Sequence, residues 1–312
     1  VERDQDLLFD AIQSGGEMTL GRSNFKIPPK EIFFPRSEKI LEYVQDEEVR
    51  VREVLPPEEK KILFGVRPCD AKAILLLDKV FDSPYRDPYY LRKRENTIFM
   101  GIGCNLPQST CFCTSLGGSP FSEDGLDLLF TDIGDRFVVK GITGEGQRLL
   151  EKYEQFFERA KKSDLDKKLN VEKEAINKIK PKIALKGIEK RLDGMFEDAF
   201  WDRIYQKCLG CAVCTYLCPT CHCFDITDET MDEGAQRFCT WDSCQFALFT
   251  LQASGHNPRM SEKERVRQRI MHKFNYFVKN YGEIACVGCG RCIKNCPVNF
   301  DIRQILLELV RK

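Results

Sequence analysis

The arrangement of apolar and polar positions changes character twice along this chain. Between residues 61 and 142, short apolar runs surround one amphipathic stretch. "KILFGVR" (61–67), "NTIFMGIG" (96–103), "LDLLFTDI" (126–133) and "RFVVKGI" (136–142) each have the length of a strand. "DAKAILLLDKVF" (70–81) has helical spacing, with Asp70 placed as its cap. Strand and helix alternate and further strands follow, which predicts an α/β domain over residues 1–150. Its first 60 residues are weakly patterned, and "KIPPKEIFFPRSEKI" (26–40) reads as an extended segment bounded by prolines. In 151–194 the pattern thins to sparse apolar residues at helical spacing among charges. This predicts one or two solvated helices linking two domains, with Pro181 as a stop. The interleaved acids make its lysines a solvated face rather than a nucleic-acid surface. In 195–312 helical periodicity returns. "SEKERVRQRIMHKFNYFVKNYG" (261–282) carries a serine cap with an acid behind it, and "DIRQILLELV" closes the chain. The expected class is α+β, with an N-terminal α/β domain, a charged helical linker and a mostly helical domain.

Charge and length exclude some roles. Lys plus Arg and Asp plus Glu both number 48 in 312 residues, so no global field favours nucleic acid or an anionic membrane. No apolar run reaches the roughly 18–20 residues of a transmembrane helix. No signal peptide is evident. The chain opens on "VERDQD" without an initiator Met, so its N-terminus is expected to lie upstream.

Cysteine changes the picture most. There are 16, none before Cys69, and they fall into three clumps. Without a secretion signal they indicate a reducing, cytoplasmic setting in which thiols act as ligands rather than disulfides. Cys208, Cys211, Cys214 and Cys218 are spaced C-x2-C-x2-C-x3-C and followed by Pro219. Cys286, Cys289, Cys292 and Cys296 repeat the spacing and are followed by Pro297. This is the bacterial ferredoxin pattern for [4Fe–4S] clusters. Three thiolates on one winding loop reach three irons of a cubane, and the fourth ligand comes from the other run. Cys296 is therefore expected to complete the cluster of Cys208, Cys211 and Cys214, and Cys218 that of Cys286, Cys289 and Cys292. Gly210, Ala212, Gly288 and Gly290 would let backbone N–H groups approach the sulfides. Zinc favours C-x2-C pairs set apart by a spacer, and sirohaem uses Cys pairs; neither suits two proline-terminated runs. The runs lie 67 residues apart, so a helical insertion is expected to fold back and bring them together.

Eight cysteines remain. Cys69, Cys104, Cys111 and Cys113 cluster after predicted strands, at the edge of an α/β sheet where ligands usually bind, with a Gly/Ser-rich loop (115–119) beside them. They form a candidate third [4Fe–4S] set, against a packed group of thiols. Cys221, Cys223, Cys239 and Cys244, in the insertion, form a candidate fourth, against free buried thiols or zinc; their spacing matches no standard motif. Four sets of four account for all 16. His222 reads as a surface histidine or one beside the site, and His256 and His272 as structural.

The ordered stretches "GVRPCD", "DPYYLRKREN", "CFCTSLGGSP", "CPTCHC", "WDSC", "ASGHNPR", "MHKF" and "CVGCGRC" resemble the iron–sulfur beta subunits of soluble NiFe hydrogenases (sulfhydrogenases) and the A subunit of anaerobic sulfite reductases. Similar dicluster proteins accompany heterodisulfide-reductase-type complexes. The resemblance covers nearly the whole chain. It implies a cytoplasmic electron-wire subunit beside an FAD- and NAD(P)-binding partner and a further iron–sulfur or catalytic redox subunit. The residues themselves supply no complete active site. "GITGEG" lacks the spacing of a dinucleotide loop, and neither NiFe ligand pairs nor a Ser/His/Asp arrangement occur. The alternative is a catalytic reductase in which one non-standard cluster meets a disulfide or sulfur substrate.

Overall fold

A computed structural model describes residues 2–3, 6–7, 12–17, 20, 24–45, 48–231 and 234–311. Part of the weakly patterned start lies outside these residues. Among them, Glu2–Arg3 (β1) and Asp6–Leu7 (β2) form a small antiparallel pair, and the other strands make two four-stranded sheets.

The segment expected to be extended, 26–40, begins with a single helical turn, Lys30–Phe33 (α1), ahead of Pro35. It then enters Ser37–Gln45 (β3), which pairs antiparallel with Val49–Glu53 (β4). The four predicted strands follow as Lys61–Val66 (β5), Thr97–Ile102 (β6), Leu128–Asp132 (β7) and Phe137–Gly141 (β8). Their order in the sheet is β5-β6-β7-β8; β5, β6 and β7 run parallel, and β8 is antiparallel. Between β5 and β6 lie Pro68–Phe81 (α2) and Pro88–Glu95 (α3). Asp70 does not cap α2. The helix starts two residues earlier, with Pro68 in its first turn, where the missing N–H leaves no bond unmade. Asp70 is thereby free for a different partner. Ile74, Leu77 and Phe81 of α2 pack with Phe33, Tyr90, Phe99 and Leu129 in the first core.

The linker is less solvated than its composition suggests. After Gly144–Lys152 (α4), the helix Lys162–Lys178 (α5) seats the fully buried Ala175 in the first core, with Val171 beside it. Ile188–Asp193 (α6) puts Ile188 and Leu192 into a second core. A few apolar positions per helix suffice to dock each one.

The C-terminal part contains Phe200–Ile204 (α7), Val213–Tyr216 (α8), Glu262–Met271 (α9), Phe277–Tyr281 (α10), Arg291–Lys294 (α11) and Ile302–Arg311 (α12). A π-helical stretch, His272–Tyr276, joins α9 to α10 in one rod. The predicted capping box is present at Ser261 and Glu264. The insertion between the runs is helical only in its second half, from α9 to α10. Its first half carries a hairpin, Phe224–Met231 (β9) and Gly234–Trp241 (β10), and β10 pairs antiparallel with β3. The second sheet, ordered β4-β3-β10-β9, thus combines strands from the N-terminal region with a hairpin from between the two cysteine runs. Trp241 anchors it, donating from Nε1 to Phe34 O at 3.0 Å inside the first core.

Buried contacts bind α2 to the C-terminal half. Ala73 and Leu76 pack with Phe277, Ala285 and Val287. Asp70 takes a bidentate ion pair from Arg291 at 2.6 and 2.8 Å, and both side chains are almost fully buried.

Candidate metal centres

Each ferredoxin run is a winding loop that ends in one turn of helix, α8 or α11. Each winds through a left-handed residue just before that turn: Ala212 at φ 62° in the first run, Gly290 at φ 75° in the second. In the first run this geometry turns the three thiols toward one side, whereas in the second Cys289 lines the N-terminal cavity and Cys292 that of the first run. Cys208, Cys211 and Cys214 line a single cavity together with Cys292 and Cys296 of the other run. Backbone donors already face sulfur there: Gly210 N reaches Cys208 Sγ at 3.4 Å and Phe300 N reaches Cys296 Sγ at 3.2 Å. The donor set fits a cubane, which takes one thiolate per iron and tolerates N–H···S bonds. Among the described residues no three His, Cys, Asp or Glu side chains converge as ligands of one ion do.

The second run is more deeply buried. Burial pushes the Cys286 thiol up to about 12 against the pull of Lys273, with Cys218 and Cys292 adding to the rise. Burial likewise raises Cys289 to about 11, opposed by Arg291, with Cys218 again among the charges that it feels. Cys218 thus lies near the second run, and its own thiol partner is Cys221.

In the N-terminal half, Cys69 lies in the first turn of α2, just after β5, and Cys104 follows β6. Cys111 and Cys113 lie on the crossover to β7. All four line one cavity, which Cys289 also touches. Burial raises both Cys111 and Cys113 to about 12. The loop presses directly on the second run. Phe112 N donates to Gly288 O at 2.8 Å, and Cys111 Sγ lies 3.6 Å from Cys289 O. A side chain at Gly288 would put its Cβ 2.5 Å from Cys113 N, and one at Gly290 would meet the Thr110 main chain at 2.7 Å.

The fourth predicted set divides. Cys223 and Cys244 pair, the Cys223 thiol holding Cys244 down to about 6, whereas Cys221 pairs first with Cys218 and feels Cys223 less. Cys239 is not brought to them. It sits on β10 opposite Glu38 and Ile226, and the charges around it are Asp87, Glu38, Lys93 and Asp225, with no other cysteine among them.

His222 is half-buried rather than at the surface. Its ring lies edge-on to Phe81 and His272, and burial holds His222 down to about 4 and His272 to about 3.

Sequence reasoning missed the cations. Lys273, in the π-helical stretch, donates to Cys218 Sγ at 3.3 Å, to Thr220 Oγ1 at 3.0 Å and to Ala285 O at 3.0 Å. Burial pulls its ammonium down, and Cys218 and Cys221 outweigh that and raise it. Arg269 donates to Cys214 O at 3.4 Å and is held charged, against burial, by Cys214 and Cys292. Lys30 donates to Cys221 O at 2.8 Å and covers the Trp241 ring at 4.1 Å. A lysine on the apolar face of a helix, as in "RIMHKFNYF", is the signal that could have found Lys273.

Residues 207–300 match the family model described as a 4Fe-4S dicluster domain. Over 302 residues, which is 96% of this chain and 88% of the relative, the sequence is 34% identical to the sulfhydrogenase 2 subunit beta of Pyrococcus furiosus. No solved structure matches the chain.

Proposed function

The chain belongs to the family of sulfhydrogenase beta subunits, and on that premise we propose that it is the electron-carrying subunit of a multi-subunit hydrogenase or related oxidoreductase. In this reading it is cytoplasmic and lies between an FAD- and NAD(P)-binding partner and a further redox subunit. Among the described residues no helix is long and apolar enough to cross a membrane.

The observation that carries this reading is the cavity that collects Cys208, Cys211 and Cys214 from one run and Cys296 from the other. Crossed ligation of two clusters requires such a gathering. The proposed sets are Cys208/Cys211/Cys214/Cys296, Cys286/Cys289/Cys292/Cys218 and Cys69/Cys104/Cys111/Cys113. The clusters supply one-electron transfer. This chain's residues hold them, exclude water and place charge beside them. Neighbouring sets share walls: Cys289 lines the N-terminal cavity and Cys292 that of the first run. Such contiguity suits a conduit, with two-electron chemistry left to partner chains.

The test is iron and acid-labile sulfide in protein purified without air. About 12 of each per chain is expected from these three sets, at about four per cubane. Zinc in their place, or iron for fewer than two clusters, overturns the reading.

A further inference from the structure

Lys273 lies in the π-helical stretch between α9 and α10 and is 3% exposed. Such stretches shift a side chain off the helical register, and they recur at functional sites. Each proton of its ammonium has a partner: Cys218 Sγ at 3.3 Å, Thr220 Oγ1 at 3.0 Å and Ala285 O at 3.0 Å. Its own carbonyl accepts from Ala285 N at 2.9 Å. Thr220 closes the group, donating from Oγ1 to Ala285 O at 2.8 Å and standing 3.1 Å from Cys218 Sγ. Ala285 immediately precedes Cys286, the first cysteine of the second run. One lysine thus clasps a sulfur of the first run to the start of the second. No carboxylate of the described residues pairs with this ammonium; its bonds go to a sulfur, a hydroxyl and a carbonyl. A buried ammonium without a counter-charge is strongly unfavourable. A sulfur held as thiolate, the form in which it ligates a metal, supplies that charge. Of the neighbouring Cys218 and Cys221, it is Cys218 whose sulfur accepts from Lys273.

We propose that Lys273 is a positioning residue of the second-run cluster, holding Cys218 as its fourth ligand and raising its reduction potential. The bonds to Thr220 and Ala285 aim the remaining proton at Cys218, so that this sulfur, rather than Cys221, is presented to the second run. A cluster gains negative charge when it is reduced. A fixed ammonium in contact with a ligand sulfur therefore stabilises the reduced form more than the oxidised one. Burial keeps water from screening that charge. The inference rests on the crossed ligation proposed above, and its test fails separately from it.

The experiment uses the full chain, purified anaerobically and followed by EPR in a redox titration. The second-run signal is assigned as the one altered in Cys286→Ser. Lys273→Gln keeps a hydrogen-bond donor and removes the charge. It should retain its iron, and the midpoint potential of the second-run signal alone should move to more negative values. Lys273→Met should move it in the same direction. In the unaltered protein, labelling lysine Nζ with the spin-half nitrogen isotope should add a nitrogen coupling to the second-run signal in pulsed EPR. That measurement stands even if neither variant assembles its clusters. An unmoved midpoint in Lys273→Gln, an equal shift of every signal, or no lysine coupling would overturn the proposal while leaving crossed ligation in place. An unaltered second-run signal in Cys218→Ser would instead defeat crossed ligation, and the proposal with it. A chain with no iron would defeat the broader reading.

Discussion

Single side chains decide which sulfur serves which cluster. Cys296 lines the cavity of the first run, so Cys296→Ser should remove or alter the EPR signal of the cluster at Cys208, Cys211 and Cys214. The signal of the second run should survive. Loss of only the second-run signal would refute crossed ligation. The Asp70–Arg291 pair makes a second demand. It is buried, bidentate and next to Cys69 and Cys289. Asp70→Asn would leave the Arg291 guanidinium uncompensated, at a cost of about 3–5 kcal/mol. A marked fall in the thermal unfolding midpoint, with Arg291→Lys unable to compensate, is the expected result. None of this pairing could be read from the sequence. Asp70 there looks like a helix cap, and Arg291 like a charge between cysteines.

The two ferredoxin loops were legible because their function fixes spacing. Three ligands for one cube tolerate little variation, and proline after the fourth marks the exit. The strands of the first sheet were legible because their apolar runs are buried by α2. The hairpin β9–β10 was not. "FDITDETM" presents exposed acids and threonines with no apolar alternation, and it is a strand because β10 pairs with β3 on its other side. Helix α5 was seen as a helix, but its docking depends on Val171 and Ala175, too few positions to stand out among charges. Contacts between elements also set the next prediction. Gly288 lies at φ 63°, with the Phe112–Cys113 backbone where a Cβ would go. Gly288→Ala forces the N-terminal cysteine loop away from the second run, since backbone cannot yield as a flexible side chain does. Iron should fall by about four per chain, and the first-run signal should persist. Unchanged iron would show that the two loops do not need to touch.

Across the molecule, contiguity of the thiol sets has a magnetic signature. Cys111 and Cys289 belong to different sets, yet their loops are in direct contact. The fully reduced protein should show spin–spin broadening between the N-terminal and second-run clusters. Cys104→Ser should remove it and leave a simpler second-run spectrum; broadening that persists would place the coupling elsewhere. The sheet β4-β3-β10-β9 has a consequence for biosynthesis. Ser37 and Thr240, hydrogen-bonded across it, stand 203 positions apart. At about 5–20 residues per second, β3 emerges from the ribosome about 10–40 s before its partner exists. For that interval one side of β3 is an open template for foreign strands. A chain truncated in the linker would lack β10 and both ferredoxin runs, and would leave that edge of β3 uncovered.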